Sequence, residues 1–302
     1  MFELENKILK EYREYDNLNS TISKPLIKIL VGYVKPSFLF KTKILSPIHL
    51  GRDIETEKCK DGIFSPVDLH WLHTNCIGDN CFKENISSLN RRIGFLTGTW
   101  WAYKNYNRLG DPNYFGSFGY RRLLQANFLE NIKEYDFAVP TIRKSYSESL
   151  KDDFINFHGK KAYEIMIQSI NKIYPNNNLE KYLKGEFGYY HELYILKKNL
   201  FFDFCDWIFP LLFELLTYST HDFIEKKLNL TRYELLSYIG EKRDIAFICE
   251  IITGYYLYEL TKKCIYIETK NILIDKESFY KKNMNSIFSL LRSRKKSILA
   301  NP

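Results

Sequence analysis

Two adjacent arginines, Arg121 and Arg122, follow an aromatic and glycine-containing run, NYFGSFGY, that ends in Tyr120. The run reads as a buried strand, and guanidinium groups at the end of such a strand are costly without an anion, so the pair predicts an anionic ligand. His191 and Glu192 stand near the start of another expected strand, where an imidazole or carboxylate can take up a proton. Asp136 and His158 are the further candidates for that work; beside Gly159, His158 has the ordinary alternative of a helix-end histidine. Cys59, His70, His73, Cys76 and Cys81 gather metal-ligand types within about two dozen residues. Their spacings match no common zinc finger, so an ordinary loop with buried thiols is the expectation there. The chain contains no Asp-x-Asp pair and no phosphate-binding glycine loop of the P-loop type.

The elements that must position these groups are read from periodicity. Ile86, Leu89, Ile93, Leu96 and Trp100 recur at three-and-four spacing and predict one helix from Asn85 to Lys104. Asn90, Gly94, Gly98 and Ala102 fall four apart on a neighbouring line, where the backbone can approach a sheet or ligand closely. A turn through Gly110, Asp111 and Pro112 then leads into the strand before Tyr120. PLIKILVGYV at 25–34 reads as the first central strand, with a second at 43–49, loop over 52–84 and a short strand at 134–140. Helices are expected over 147–174, over 200–218 with a kink or restart at Pro210, and over 243–262; a strand is expected at 189–197. Strands alternating with helices predict an α/β layered domain over 25–270, after a helical lead-in (1–24) and before a basic helical tail (271–302).

The 302 residues suffice for a full core, and 26% charged with 45% hydrophobic residues fit a globular protein. A net charge of +8 favours an anionic partner. No nucleic-acid motif and no long basic stripe with interleaved aromatics precedes the C-terminal end, so nucleic acid is not expected. The N-terminus has no apolar leader, and six cysteines make no disulfide framework, so a reducing cytoplasm is the expected location. SIFSLLRSRKKSILANP at the C-terminal end joins apolar residues to a basic cluster, as in peripheral membrane segments; a solvated basic tail is the alternative.

The string NISSLN…LTGTWWAYKN…YFGSFGYRR, with PIHLG before it and EYDFAVP after it, resembles the bacterial capsular and exopolysaccharide glycosyltransferases catalogued as a domain of unknown function. ELYILKKNLFFDFCDWIFPLLFEL and RDIAFICEIITGYYLYEL resemble the later motifs of that family, so the likeness runs over about residues 27–262. The chain departs from the pattern at Val34, Phe95 and Gly119, where the family has histidine, glutamate and histidine, and at Glu192 in place of asparagine.

The resemblance implies a GT-A-like, Rossmann-type α/β fold with a mixed central sheet flanked by helices and a helical C-terminal portion. It implies transfer from a nucleotide-sugar donor, UDP-linked and galactose-type as a first guess, to an oligosaccharide or lipid-linked glycan acceptor, with peripheral contact at the inner membrane. Within it, Arg121 and Arg122 would hold the diphosphate beside Tyr120, with Lys35 against nucleotide or phosphate and Tyr33 stacked on the base. Asn85, Ser87 and Asn90 would contact ribose and phosphate or cap the helix, and Lys104 would do the same or answer the helix dipole. Glu192 and His191 are the candidate bases, followed by Asp136. Arg243 and Glu250 form the expected structural ion pair, and Glu250 is also a partner for one of the paired arginines. Leaving-group stabilisation without a metal is expected, with Mn²⁺ or Mg²⁺ as the alternative. The rival readings are a non-catalytic carbohydrate-binding or assembly protein and a phosphate-processing enzyme.

Overall fold

The computed structural model describes residues 2–16, 25–58, 62–82, 84–219, 222 and 243–274. The basic segment expected to meet a membrane lies outside them. Among the described residues no helix is long and apolar enough to cross a membrane.

A mixed sheet forms the middle layer, in the order β10-β6-β9-β4-β1-β2-β3, with β5 and β11 continuing from β4. The strands are β1 Ile27–Tyr33, β2 Leu45–His49, β3 Ile77–Gly78, β4 Tyr114–Gly119, β5 Arg122–Leu124, β6 Phe137–Pro140, β9 Tyr194–Lys197, β10 Tyr266–Thr269 and β11 Asn271–Leu273. β7 (Arg143–Lys144) and β8 (Phe187–Gly188) pair separately. β1 is parallel to both β2 and β4, whereas β9 runs against β4 and β6. The run expected as a strand from 189 to 197 is therefore a strand only from Tyr194, and His191 and Glu192 belong to the turn before it. β11 pairs with β5, so the sheet continues past the boundary expected at residue 270.

Alternation along the strands feeds two cores. Leu30, Phe115, Tyr194 and Leu196 face one side. There they meet α3 (Asn90–Ile93), α4 (Leu96–Lys104), α5 (Leu150–His158), α6 (Lys160–Ile173), α7 (Leu179–Leu183), α8 (Lys198–Leu216) and α9 (Asp244–Thr261). Ile29, Val31, Tyr33 and Phe118 face the other side, against α1 (Phe2–Glu14) and α2 (Pro66–Asn75). The expected lead-in is thus a packed layer: Ile8, Leu9 and Tyr12 of α1 are buried, and the Tyr12 hydroxyl donates to Leu124 O at 2.7 Å.

Three expected helices differ. The helix over 85–104 breaks at Gly94, whose φ of 60° lies in the region that favours glycine, and the Asn90 amide donates to Gly94 O at 2.8 Å to hold the break. The phase shifts there, so Trp101 rather than Trp100 is the buried tryptophan. The helix over 147–174 divides at Gly159 (φ 87°). α8 instead runs through Pro210. The backbone bond lost to proline is outweighed by burial of Phe201, Phe204, Ile208, Leu211, Leu212 and Leu215, each worth about 1.5–3 kcal/mol. The loop expected over 52–84 contains α2, opened by Pro66 and by a reciprocal bond pair between Ser65 and Asp68.

Asp136 closes the sheet at the N-terminal ends of the parallel strands. It accepts from Lys197 Nζ at 2.6 Å and from Ile265 N at 2.9 Å, and these hydrogen bonds hold its carboxyl below the usual range. Asp136→Asn should cost about 1–2 kcal/mol in urea unfolding at neutral pH, the low end for charged hydrogen bonds because the pair is partly exposed. A lowered carboxylate stabilises above its unfolded pKa, so the gap between wild type and variant should close as pH falls through the carboxylate range. An equal gap at acid pH would contradict this role.

Gly254 in α9 makes the closest approach among the described glycines: a Cβ there would stand 2.4 Å from the Tyr189 carbonyl oxygen. Gly254→Ala should therefore destabilise by about 1–3 kcal/mol, opposite in sign to its helix propensity. Thermal unfolding above the wild-type temperature would refute the close approach.

Candidate functional site

After β1 the chain moves to β2 and β3 on one side, then returns to add β4 on the other. The crevice at the C-terminal ends of β1 and β4 is therefore the switch point at which open α/β sheets bind ligands. Val34 and Lys35 leave β1 at this edge, and Tyr120, Arg121 and Arg122 follow β4. Arg143 emerges beyond β6 at the same edge, and the reversed direction of β9 brings His191 and Glu192 there as well.

A polar constellation is built around the turn before β9. His191 and Glu192 have φ values of 76° and 49°, two successive left-handed residues with Cβ atoms. Glu250 of α9 accepts the His191 backbone N–H at 2.8 Å, and its Oε1 lies 3.4 Å from His191 Nδ1. Arg143 Nη1 stands 3.0 Å from His191 Nε2. Arginine can only donate, so Nε2 accepts and the ring proton sits on Nδ1, towards Glu250. Gly254 lies one turn beyond Glu250, and its close approach to Tyr189 seats the helix under this turn. His158 stacks on Phe247 of α9 with ring centroids 4.3 Å apart, and its charge acts on Glu250.

Glu192 and Glu250 are pushed apart electrostatically. Burial, then the charge of Glu250, raises the Glu192 carboxyl well above the usual range against the opposing pull of Arg243. Burial also opposes ionisation of Glu250, but the net direction is down, led by the hydrogen bond from the His191 ring and aided by the one from its backbone. Glu192 Oε1 is buried with no hydrogen-bond partner. The β4–β9 ladder ends at the pair Ser117 and Tyr194, two residues after Glu192. Two carboxyl groups with opposed shifts at one sheet edge are an arrangement suited to proton transfer.

Phe95 covers the strand tips beside this pair. Built Cβ atoms on Gly32 and Gly119 would lie 2.7 and 2.9 Å from its ring. Two departures from the family pattern are thus in contact: the ring at 95 occupies the space a side chain at 119 would need. The break at Gly94 is what turns Phe95 onto the sheet.

Of the other expected site residues, Tyr33 is fully buried, its hydroxyl donating to Phe38 O and accepting from Phe40 N, both at 2.8 Å. It stacks on Tyr120, which leaves no face for a base. Arg121 lines a cleft of about 230 Å³ with Glu5, Ser37, Phe38 and Tyr120, on the α1 side of the sheet. Asn85 Oδ1 accepts from Ser87 N, the capping alternative. Ser87 and Asn90 are buried in internal bonds: the Ser87 hydroxyl donates to Asp79, and Asn90 donates to Gly94 and Thr97. Lys104 pairs with Glu84 at 3.1 Å and lies over Trp100. Asp136 is at the opposite edge from the constellation. The ion pair expected between Arg243 and Glu250 is replaced by the bonds to His191, because Arg243, at the α9 cap, acts on Glu192 instead. Sequence reasoning missed Arg143, although its place just past a strand end is the signal that singled out Arg121 and Arg122. Among the described residues of the expected cysteine and histidine cluster, His73 alone falls in a group of three ligand types, with His49 and Glu55; Cys59 is outside the described residues.

The fold matches a solved apo structure of the bifunctional glycosyltransferase WbbM, with a TM-score of 0.64 and 20% identity over 84% of this chain. The match covers 46% of that protein, so this chain spans under half of its length. Among curated proteins none matches the sequence. Residues 28–263 match the family described as DUF4422, a domain of unknown function. They comprise most of the sheet and every helix that carries the constellation around Glu192. The chain belongs to that family.

Proposed function

We propose that the chain is a glycosyltransferase that moves a sugar from a nucleoside-diphosphate donor, a UDP-sugar in the first instance, to a hydroxyl of a surface-glycan acceptor. The observation that carries this reading is the pair Glu192 and Glu250, shifted in opposite directions at the ligand-binding edge of the sheet. The likeness of fold to a glycosyltransferase supports it.

In this reading Glu192 is the base. It takes the proton of the acceptor hydroxyl while that oxygen forms a bond to the anomeric carbon and the bond to the diphosphate breaks, inverting the anomeric centre. Glu250 stays ionised and positions His191 through the backbone and ring bonds described above. Arg121, Arg122 and Arg143 supply positive charge for the departing diphosphate, with Lys35 at the end of β1. A lipid-linked acceptor would suit the basic C-terminal segment and a cytoplasmic site at the inner membrane.

Glu192→Gln, which keeps shape and removes the base, should lower kcat about 100-fold or more with little change in donor KM. The wild-type rate should rise with pH through an apparent pKa above the ordinary carboxylate range. A rate already flat from about pH 5, or a product that retains the donor configuration by NMR, would overturn the base assignment. Turnover should proceed without added Mg²⁺ or Mn²⁺, and an absolute requirement for either would refute phosphate stabilisation by arginine alone.

The apolar cover made by Phe95 at Gly32 and Gly119 favours one second reading, a carbohydrate-binding protein without turnover. Stabilisation by free glycan, with no stabilisation or hydrolysis of any nucleotide sugar, would select it.

A further inference from the structure

We infer that His49, Glu55 and His73 form a binding site for a single zinc-type transition-metal ion. The three residues come from separate elements: the last position of β2, the turn after the short helix Arg52–Ile54, and the last turn of α2. His73 Nε2 lies 2.9 and 2.8 Å from the two Glu55 carboxylate oxygens, and His49 Nδ1 lies 3.4 Å from Glu55 Oε2. One ligand atom from each residue falls within 4.8 Å of the other two. Bonds of 2.0–2.2 Å to a tetrahedral ion place ligand atoms roughly 3.3 Å apart, so small movements close the site.

The independent sign of a ligand is His49. Its side chain is 1% exposed, and Nδ1 is buried with no hydrogen-bond partner while facing the Glu55 carboxylate. A buried imidazole nitrogen ordinarily has a partner. A metal ion would use its lone pair. The Glu55 carboxylate supplies the negative charge that a cation needs here. Exposure falls from 38% at His73 through 15% at Glu55 to His49, which leaves an outer position for water.

The ligand set selects the ion. Two imidazoles and one carboxylate suit Zn²⁺, Co²⁺ or Ni²⁺, whereas Mg²⁺ and Ca²⁺ favour oxygen-only shells. β9, β4, β1 and β2 are successive strands, so the site stands about 14 Å along the sheet edge from the Glu192 turn, at about 4.8 Å per strand. The ion would pin α2 and the 52–55 turn to the end of β2 and is separate from the leaving-group chemistry.

The test is titration of chelator-stripped, dialysed full-length protein with Zn²⁺ alone and with Co²⁺ alone, read by calorimetry, bound-metal analysis and the visible Co²⁺ spectrum. One equivalent should bind, with a tetrahedral-type cobalt spectrum and a melting temperature raised by several degrees, and Mg²⁺ should do neither. His73→Ala, at a half-exposed position, should weaken affinity by at least the ~10–100-fold that loss of a supporting partner costs. His70→Ala, on the exposed side of the same helix, should leave binding unchanged. Absence of one-to-one binding, or equal losses in the two variants, would overturn the assignment. Unfolding of the metal-free variants checks that each is folded.

Discussion

The geometry at the sheet edge depends on the hydrogen bond from the His191 backbone to Glu250. Left-handed backbone at two successive residues with side chains costs on the order of 1–3 kcal/mol each, so the turn requires support from outside itself. That support is a carboxylate on α9, a helix brought close only because Gly254 has no side chain to meet Tyr189. The strain has an electrostatic result. It buries Glu192 Oε1 within the influence of the Glu250 charge, so that one carboxyl group is shifted up and the other down. Packing, strain and proton affinity are thus one linked arrangement.

Phe95 acts on the same edge through shape. A straight helix from Asn85 would carry residue 95 along the sheet, whereas the break at Gly94 drops its ring onto the tips of β1 and β4. The glycines beneath it and the ring above are mutually required, since a Cβ at either glycine would enter the ring. The edge therefore carries an apolar ring directly over the tips of β1 and β4, with Lys35, Arg121 and Arg122 following those strands and Arg143, His191 and Glu192 beside β6 and β9.

Much of the layered fold was legible because buried strands and amphipathic helices write their periodicity into the chain. β1, β2, β4, β6 and α9 fall where apolar runs placed them. α2 was legible in principle, since Ser65, Pro66 and Asp68 are a helix-start signature, but with Leu72 as its buried residue it writes no apolar periodicity into the chain and reads as loop. Other features had no local signal. The phase break at Gly94 depends on an amide four residues earlier. The turn at His191 depends on a carboxylate 59 residues later. Expected roles failed where they ignored burial: Tyr33 sits at a strand end, but alternation turns it into the second core, where its hydroxyl bonds the 38–40 loop.

The same alternation explains why the arginines divide. Tyr120 shares its face with Tyr33 and Phe118, and Arg121 opens onto a cleft beside α1, while Glu192 and His191 lie with α9 on the other face. A diphosphate held by the paired arginines must therefore lie at the strand tips, where charge from both faces reaches it. Arg143, bonded to His191, is the cation already within the cluster around Glu192. Moving a ligand towards it would draw on the lone pair that His191 now offers, and that loss would be felt by Glu250 through the other ring nitrogen. In the proposed transfer, donor position and proton affinity would be coupled through one imidazole, so the distance of the leaving group from Arg143 would tune the carboxyl pair.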